Sequence, residues 1–129
     1  MDLNELSNKV IGFALDVHSK LGPGLLENVY KECLFHKLRK ESFIVEMEKL
    51  LSVIYEDIKL DCGYRLDLLV DRRLVVEVKS VNMLKEIHSS QLRTYLRLGN
   101  YKLGLLLNFN VKWLKNGIQR EVNGLEEET

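Results

Sequence analysis

The sequence predicts a mixed α/β domain with helices packed on a central sheet. Three patterns predict it: two helical periods at the start, alternating β-branched runs in the middle, and a third helical period followed by a buried apolar run. From Leu3 to about Lys20, Leu6, Val10, Phe13, Ala14 and Val17 recur at three- and four-residue spacing, the mark of an amphipathic helix. Gly22, Pro23 and Gly24 break that helix, and Leu26, Val29, Tyr30, Cys33, Leu34 and Leu38 restart the period to about Lys40. The stretch "FIVEMEKLLSVIYEDIKLD" places β-branched and aromatic residues on both sides of an acidic turn at Glu56 and Asp57, so strands are expected on either side. "GYRLDLLVDRRLVVEVKS" alternates as a further hairpin. "MLKEIHSSQLRTYLRLGN" returns to helical spacing through Ile87, Gln91, Tyr95 and Leu98, with a stop at Gly99 and Asn100. "YKLGLLLNF" reads as a buried strand and "GIQREV" as a short strand near the edge.

With 129 residues the chain is the size of one domain, expected over residues 1–121, and the acidic end 122–129 lacks apolar residues to bury and is expected to be a solvated tail. No apolar run is long enough for a membrane span, although 46% of residues are hydrophobic. The start, "MDLNELSNKVIGF", has early acids and no basic region before an apolar block, so no signal peptide is expected and the expected location is cytoplasmic. Cys33 and Cys62 have no CxxC spacing and are assigned no role. Basic and acidic residues balance at 19 each, which excludes a global basic field; any contact with nucleic acid must come from local groups such as Lys37, Arg39 and Lys40, or Lys112, Lys115 and Arg120.

The hairpin carries charges where apolar residues dominate. Glu77 and Lys79 share one strand face, while Leu74, Val76 and Val78 share the other. Asp71, Arg72 and Arg73 supply no Gly or Asn for a tight two-residue turn, so a three- or five-residue connection is expected, and either parity sets Asp67 opposite Glu77. Facing carboxylates about 5 Å apart repel, by a few tenths to about 1 kcal/mol when exposed and more when buried. A divalent cation offsets that directly, because Mg²⁺ or Mn²⁺ favours hard oxygen ligands and retains waters for substrate oxygens. Diagonal salt bridges, Arg65 with Glu77 and Asp67 with Lys79, are the bland alternative.

Glu27 lies three residues before Tyr30 and seven before Leu34, on the stripe expected to face the interior; with Gly24 as the cap, it would instead be an acid favoured in a first helical turn. Gln91 and Tyr95, one turn apart, would need hydrogen-bond partners if buried.

"GLLENVY" from Gly24 to Tyr30 resembles the signature of the GxxExxY protein family. Asp67, "EVK" at Glu77 to Lys79 and "QLRTY" at Gln91 to Tyr95 resemble successive motifs of the PD-(D/E)xK nuclease superfamily, in an arrangement similar to its recombination-exonuclease branch. The resemblance runs from about Val17 to Arg120, with Leu66 in place of the Pro that often precedes the Asp. It implies a three-layer α/β/α restriction-endonuclease-like fold with a central mixed sheet. It further implies a metal-dependent nuclease acting on nucleic acid, with DNA the expected substrate and Mg²⁺ or Mn²⁺ the cofactor. Glu27, Asp67, Glu77 and Lys79 would be catalytic. Asp67, Glu77, the main-chain carbonyl of Val78 and Glu27 would hold the metal, with His18 as a further candidate ligand by analogy with relatives that use a helix-borne histidine. Gln91, Tyr95 and Tyr30 would brace the site or touch substrate. His88 could approach a phosphate, though a surface position is its ordinary reading. The alternative is a catalytically silent module that keeps the nuclease fold and binds nucleic acid or protein. A homodimer is expected if the substrate is a duplex, because one small subunit offers limited surface.

Overall fold

The computed structural model describes residues 1–125. Helix α1 spans Leu3–Leu21, capped by the Asp2 carboxylate, which accepts the Glu5 N–H at 2.8 Å. Gly22, at φ 70°, ends it by donating its N–H to the His18 carbonyl at 2.8 Å, a left-handed conformation that glycine adopts without steric cost. Helix α2 spans Glu27–Lys40. Its cap residue is Leu26 rather than Gly24, so Glu27 is the first helical residue and makes no capping box. Five strands then form the central sheet: β1 (Val45–Leu50), β4 (Arg65–Val70), β5 (Leu74–Lys79), β6 (Leu103–Asn108) and β7 (Ile118–Val122), in the order β1-β4-β5-β6-β7. Between β1 and β4, β2 (Val53–Tyr55) and β3 (Ile58–Leu60) make a separate hairpin turning at Glu56 and Asp57, the acidic turn expected from sequence. Helix α3 (Glu86–Gly99) links β5 to β6, which run parallel; the other neighbouring strands of the sheet are antiparallel.

Three layers follow from the two sheet faces. On one, Leu68, Val70, Leu74, Val76, Val78, Leu103, Leu105 and Leu107 meet Leu6, Val10, Ala14 and Val17 of α1 and Tyr30, Leu34 and Leu38 of α2. On the other, Leu69, Val75 and Leu106 meet Leu92, Tyr95 and Leu96 of α3. Burying a Leu or Val side chain stabilises by about 1.5–3 kcal/mol, so both faces of β5 and β6 must be covered where the apolar runs 74–76 and 103–107 lie. This is the mixed α/β fold the sequence predicts.

The hairpin loop has the shorter of the two expected lengths. Val70 pairs with Leu74, leaving Asp71, Arg72 and Arg73 as a three-residue connection. Asp71 and Arg72 nevertheless take φ values of 50° and 60°. Asp71 offsets that strain by joining the start of β1: its N–H donates to the Ile44 carbonyl at 2.7 Å and its Oδ1 accepts the Ile44 N–H at 3.1 Å.

Helix α3 departs from its predicted stripe. Its buried residues are Ser89, Leu92, Tyr95 and Leu96, whereas Ile87 is 68% exposed and Gln91 is exposed. The reason is the close approach of helix to sheet at Gly104 on β6, where a Cβ would come within 2.9 Å of Leu92. Contact centred on Leu92 rotates Ile87 out of the core. The first residues of the segment expected to be a tail are held in the fold. Val122 belongs to β7, and Asn123 donates its N–H to the Lys102 carbonyl at 2.9 Å and its Nδ2 to the Tyr101 carbonyl at 3.0 Å; residues 126–129 lie outside the described residues. Cys33 and Cys62 are unlinked. Among the described residues, no helix is long and apolar enough to cross a membrane.

Two glycines make opposite predictions. A Cβ on Gly117, at the end of the short 3₁₀ turn before β7, would fall 2.3 Å from the backbone oxygen of Asn108, while one on Gly12 in α1 meets open space. Gly117→Ala is expected to destabilise by about 1–3 kcal/mol in denaturant titrations, and Gly12→Ala to stabilise by about 0.5–1 kcal/mol. Equal effects would contradict the packing described at the β6 terminus.

Candidate active site

The site is built where β4 parts from β5. Pairing between these strands stops at Leu68 and Val76, one step short of Asp67 and Glu77. In the gap the two carboxylates take over the backbone bonds. Asp67 Oδ2 accepts the Val78 N–H at 2.8 Å, and Glu77 Oε1 accepts the Asp67 N–H at 3.3 Å. The expected apposition of Asp67 and Glu77 is therefore present, in crossed form. Because N–H and C=O of one strand residue point to the same edge, the Val78 carbonyl also faces this gap. Neither diagonal salt bridge, Arg65 with Glu77 or Asp67 with Lys79, forms among the described residues.

The electrostatics are those of a like-charge pair taken out of water. Glu77 is 4% exposed. Burial, then the neighbouring Asp67 carboxylate, pushes the Glu77 carboxyl well above the usual carboxylate range, and Lys79 only partly opposes this. Burial also raises the Tyr95 phenol, with Glu77, Tyr64 and Asp67 adding to the effect; the Tyr95 ring stands 5.9 Å from that of Tyr64. Tyr95 thus walls the carboxylate pair from the α3 side. Gln91, one turn earlier, is exposed and not the buried amide the helical stripe implied.

Glu27 reaches the same place from the other layer. The residue as a whole is exposed, yet its carboxyl feels Lys79, Asp67, Lys31 and Glu48; partial burial, Asp67 and Glu48 raise it above its ordinary value against the pull of the two lysines. Two tethers set this position. Ser80 Oγ, next to Lys79, donates to the Leu25 carbonyl at 2.7 Å, docking the turn before α2 onto the end of β5. The Tyr30 hydroxyl donates to the Gly22 carbonyl at 2.6 Å and accepts the Leu25 N–H at 3.0 Å, while its ring stacks on Phe109 at 4.6 Å. Tyr30 is fully buried and braces the loop that carries Glu27; it does not face solvent.

His18 and His88 are engaged elsewhere. His18 Nε2 lies 2.7 Å from the Val111 carbonyl, and since a carbonyl only accepts, that nitrogen carries the proton and is not open to a metal. His88 Nδ1 accepts the Lys85 N–H at 2.9 Å at the start of α3. Of the basic residues near the first helices, Lys37 pairs with Asp16 and Glu41, and Arg39 lies over the Phe35 ring.

Two charged residues of the site escape the sequence patterns. Glu48 of β1 stands in register opposite Asp67, since Met47 pairs with Leu68 and Lys49 with Leu66, and at φ 57° it interrupts that ladder as well. Lys31, one turn after Glu27, forms an ion pair with Glu48. Burial works against the Lys31 charge, but Glu48, Asp67 and Glu27 together raise its pKa. The i,i+4 spacing of Glu27 and Lys31 was the available signal; the register of β1 against β4 was not readable.

The donors fit a hard divalent cation. Asp67 and Glu77 offer carboxylate oxygens at a point of uncompensated negative charge, and the Val78 carbonyl adds a neutral oxygen. Among the described residues no group of three or more His, Cys, Asp or Glu side chains gathers closely enough to enclose an ion. Such a set suits an ion that keeps several waters, as Mg²⁺ does, and not a structural cage.

The buried pair makes stability depend on pH. A carboxyl raised in the folded state stabilises the fold fully below the ordinary value of 4.5 and loses that contribution as pH rises through the folded value. Glu77→Gln is therefore expected to raise the melting temperature of metal-free protein by a few degrees near pH 8, with the gain vanishing near pH 4. A difference that does not vary with pH would refute the buried-charge account.

A family model described as the PD-(D/E)XK nuclease superfamily matches residues 4–121, a span that includes every element from α1 to β7 except the first residue of α1 and the last of β7. No curated protein and no solved structure gives a significant match. Glu77, Val78 and Lys79 read as the (D/E)-x-K letters of that name, and the match covers nearly the whole described chain: the protein belongs to the PD-(D/E)XK nuclease superfamily.

Proposed function

We propose that the protein is a divalent-metal-dependent nuclease of the GxxExxY type, related to the recombination-exonuclease branch, that hydrolyses phosphodiester bonds of DNA. One observation carries this reading: the crossed Asp67–Glu77 carboxylates at the parting of β4 and β5, with Lys79 and Glu27 close by. Members of the superfamily typically use divalent metals. Asp67, Glu77 and the Val78 carbonyl would hold the ion, with Glu27 contributing directly or through water. When bound, the ion supplies neutralisation of charge on the phosphate oxygens and a lowered water pKa. Lys79, two residues beyond Glu77 on the same strand face, orients or deprotonates the attacking water and stabilises negative charge developing on phosphorus oxygens. Tyr95 limits water access to Glu77, and exposed Gln91 is placed to touch a substrate backbone. Tyr30 acts one step removed, by fixing the loop that aims Glu27.

The test is hydrolysis of single-stranded, double-stranded and branched DNA with Mg²⁺ and with Mn²⁺. Asp67→Ala and Lys79→Ala are each expected to lower the rate by about 100-fold or more while the circular-dichroism spectrum stays native. Calorimetric titration with Mn²⁺ should show binding to the wild type and none to the Asp67→Ala, Glu77→Ala double variant. Protein that is inert on all three substrates would overturn the proposal in favour of a silent binding module, and cleavage that survives both single variants would overturn the roles given to Asp67 and Lys79.

A further inference from the structure

Outside the carboxylate centre, one cavity combines an aromatic surface with two lysines that have no carboxylate partner among the described residues. Its volume is about 720 Å³, and Leu15, His18 and Pro23 line it on one side, with Lys112, Trp113 and Lys115 on the other. Pockets of roughly 300–1,000 Å³ take small-molecule-sized groups. Trp113 is 59% exposed, although the chain on both sides of it is anchored: the Val111 carbonyl binds the His18 ring at 2.7 Å, and Leu114 is buried. The Asn116 N–H donates to the Trp113 carbonyl at 3.0 Å. An indole held out to solvent from a fixed backbone is a preformed surface for a flat ring. Lys112 Nζ lies 5.5 Å from the Trp113 ring centroid, and among the described residues neither Lys112 nor Lys115 has a carboxylate partner.

The cavity is coupled to the catalytic end of the sheet through both its walls. Gly22 at its edge belongs to the loop that Tyr30 and Ser80 hold against β5, and the segment carrying Trp113 leaves β6 where the Phe109 N–H donates to the Lys79 carbonyl at 2.9 Å.

We infer that this cavity holds an unpaired nucleotide of a single-stranded nucleic-acid segment, its base stacked on Trp113 and its flanking phosphates held by Lys112 and Lys115. The inference rests on the nuclease reading and names the substrate form that reading leaves open. A ring surface beside ammonium groups that no described carboxylate holds matches a nucleobase beside phosphates, and stacking tolerates any base. Paired bases in a duplex keep their faces covered by their neighbours and cannot offer one to the indole.

Trp113 is the only tryptophan of the chain, so its emission reports on this cavity alone. Titration of full-length Asp67→Ala protein with oligothymidylate, without added metal, is expected to quench that emission. In anisotropy titrations with labelled oligothymidylate, Trp113→Ala should weaken binding by roughly 5- to 150-fold, and Trp113→Phe by less. Lys112→Gln with Lys115→Gln should flatten the log–log salt slope by about 1.4. Unchanged emission, or affinity indifferent to Trp113→Ala, would overturn the inference. Equal affinity for blunt duplex would overturn the unpaired requirement, and equal affinity for thymidine monophosphate would assign the cavity to free nucleotides instead of a strand. Failure of the nuclease reading is separable: the wild type would then quench on oligothymidylate yet cleave nothing with Mg²⁺ or Mn²⁺.

Discussion

Two hydrogen bonds at the parting of β4 and β5 organise this molecule's chemistry. In a regular antiparallel pair, the Val78 N–H would bond a main-chain carbonyl of β4, and Asp67 and Glu77 would face each other without exchanging backbone bonds. Here the Asp67 carboxylate accepts the Val78 N–H and the Glu77 carboxylate accepts the Asp67 N–H, so the side chains replace the ladder they interrupt. The exchange leaves no buried donor orphaned while it draws two like charges into one gap. The fold tolerates this because apolar residues on both sides hold the sheet. Leu68 and Val76 pair immediately before the gap, and the parallel β5–β6 ladder continues unbroken from Leu74 to Lys79.

The surroundings of the gap follow from that constraint. Two lysines near it serve carboxylates: Lys79 opposes the shifts of both Glu77 and Glu27, and Lys31 pairs with Glu48. The strand crossing at Asp67 is irregular on its β1 side too, where Glu48 takes a left-handed conformation. Three acids therefore lie in one row across β1, β4 and β5, and a fourth, Glu27, comes from α2. Such a concentration is a cost to stability, since apolar side chains at these positions would stabilise the fold more.

The loops at the same end of the sheet are fixed, not loose. Tyr30 binds both the Gly22 carbonyl and the Leu25 amide, and buried Asn108 holds the segment after β5 through Val81 at 3.1 Å and 3.0 Å. The proposed nuclease chemistry would need groups held to within fractions of an ångström, and these polar braces hold the loops around the carboxylate gap. They also join the carboxylate gap to the Trp113 cavity, because the α1–α2 loop and the segment after β6 border both.

The sequence by itself determined the element order, the apolar face of β5, the buried run of β6, and the parity that sets Asp67 against Glu77. Those properties rest on side-chain period and on loop chemistry, which are local. It also pointed to the "GLLENVY" helix start and the "EVK" strand end as parts of one site. Only the tertiary structure decided which face α3 buries, because the close approach of Leu92 to Gly104, and not helical period alone, turned Gln91 and Ile87 outward. It likewise decided that Tyr30 braces a loop and that His18 is spent on Val111. Glu48 joined the site for the same reason: strand register between distant segments and the reach of a side chain across a gap depend on packing among elements far apart in the chain, and no local pattern encodes them.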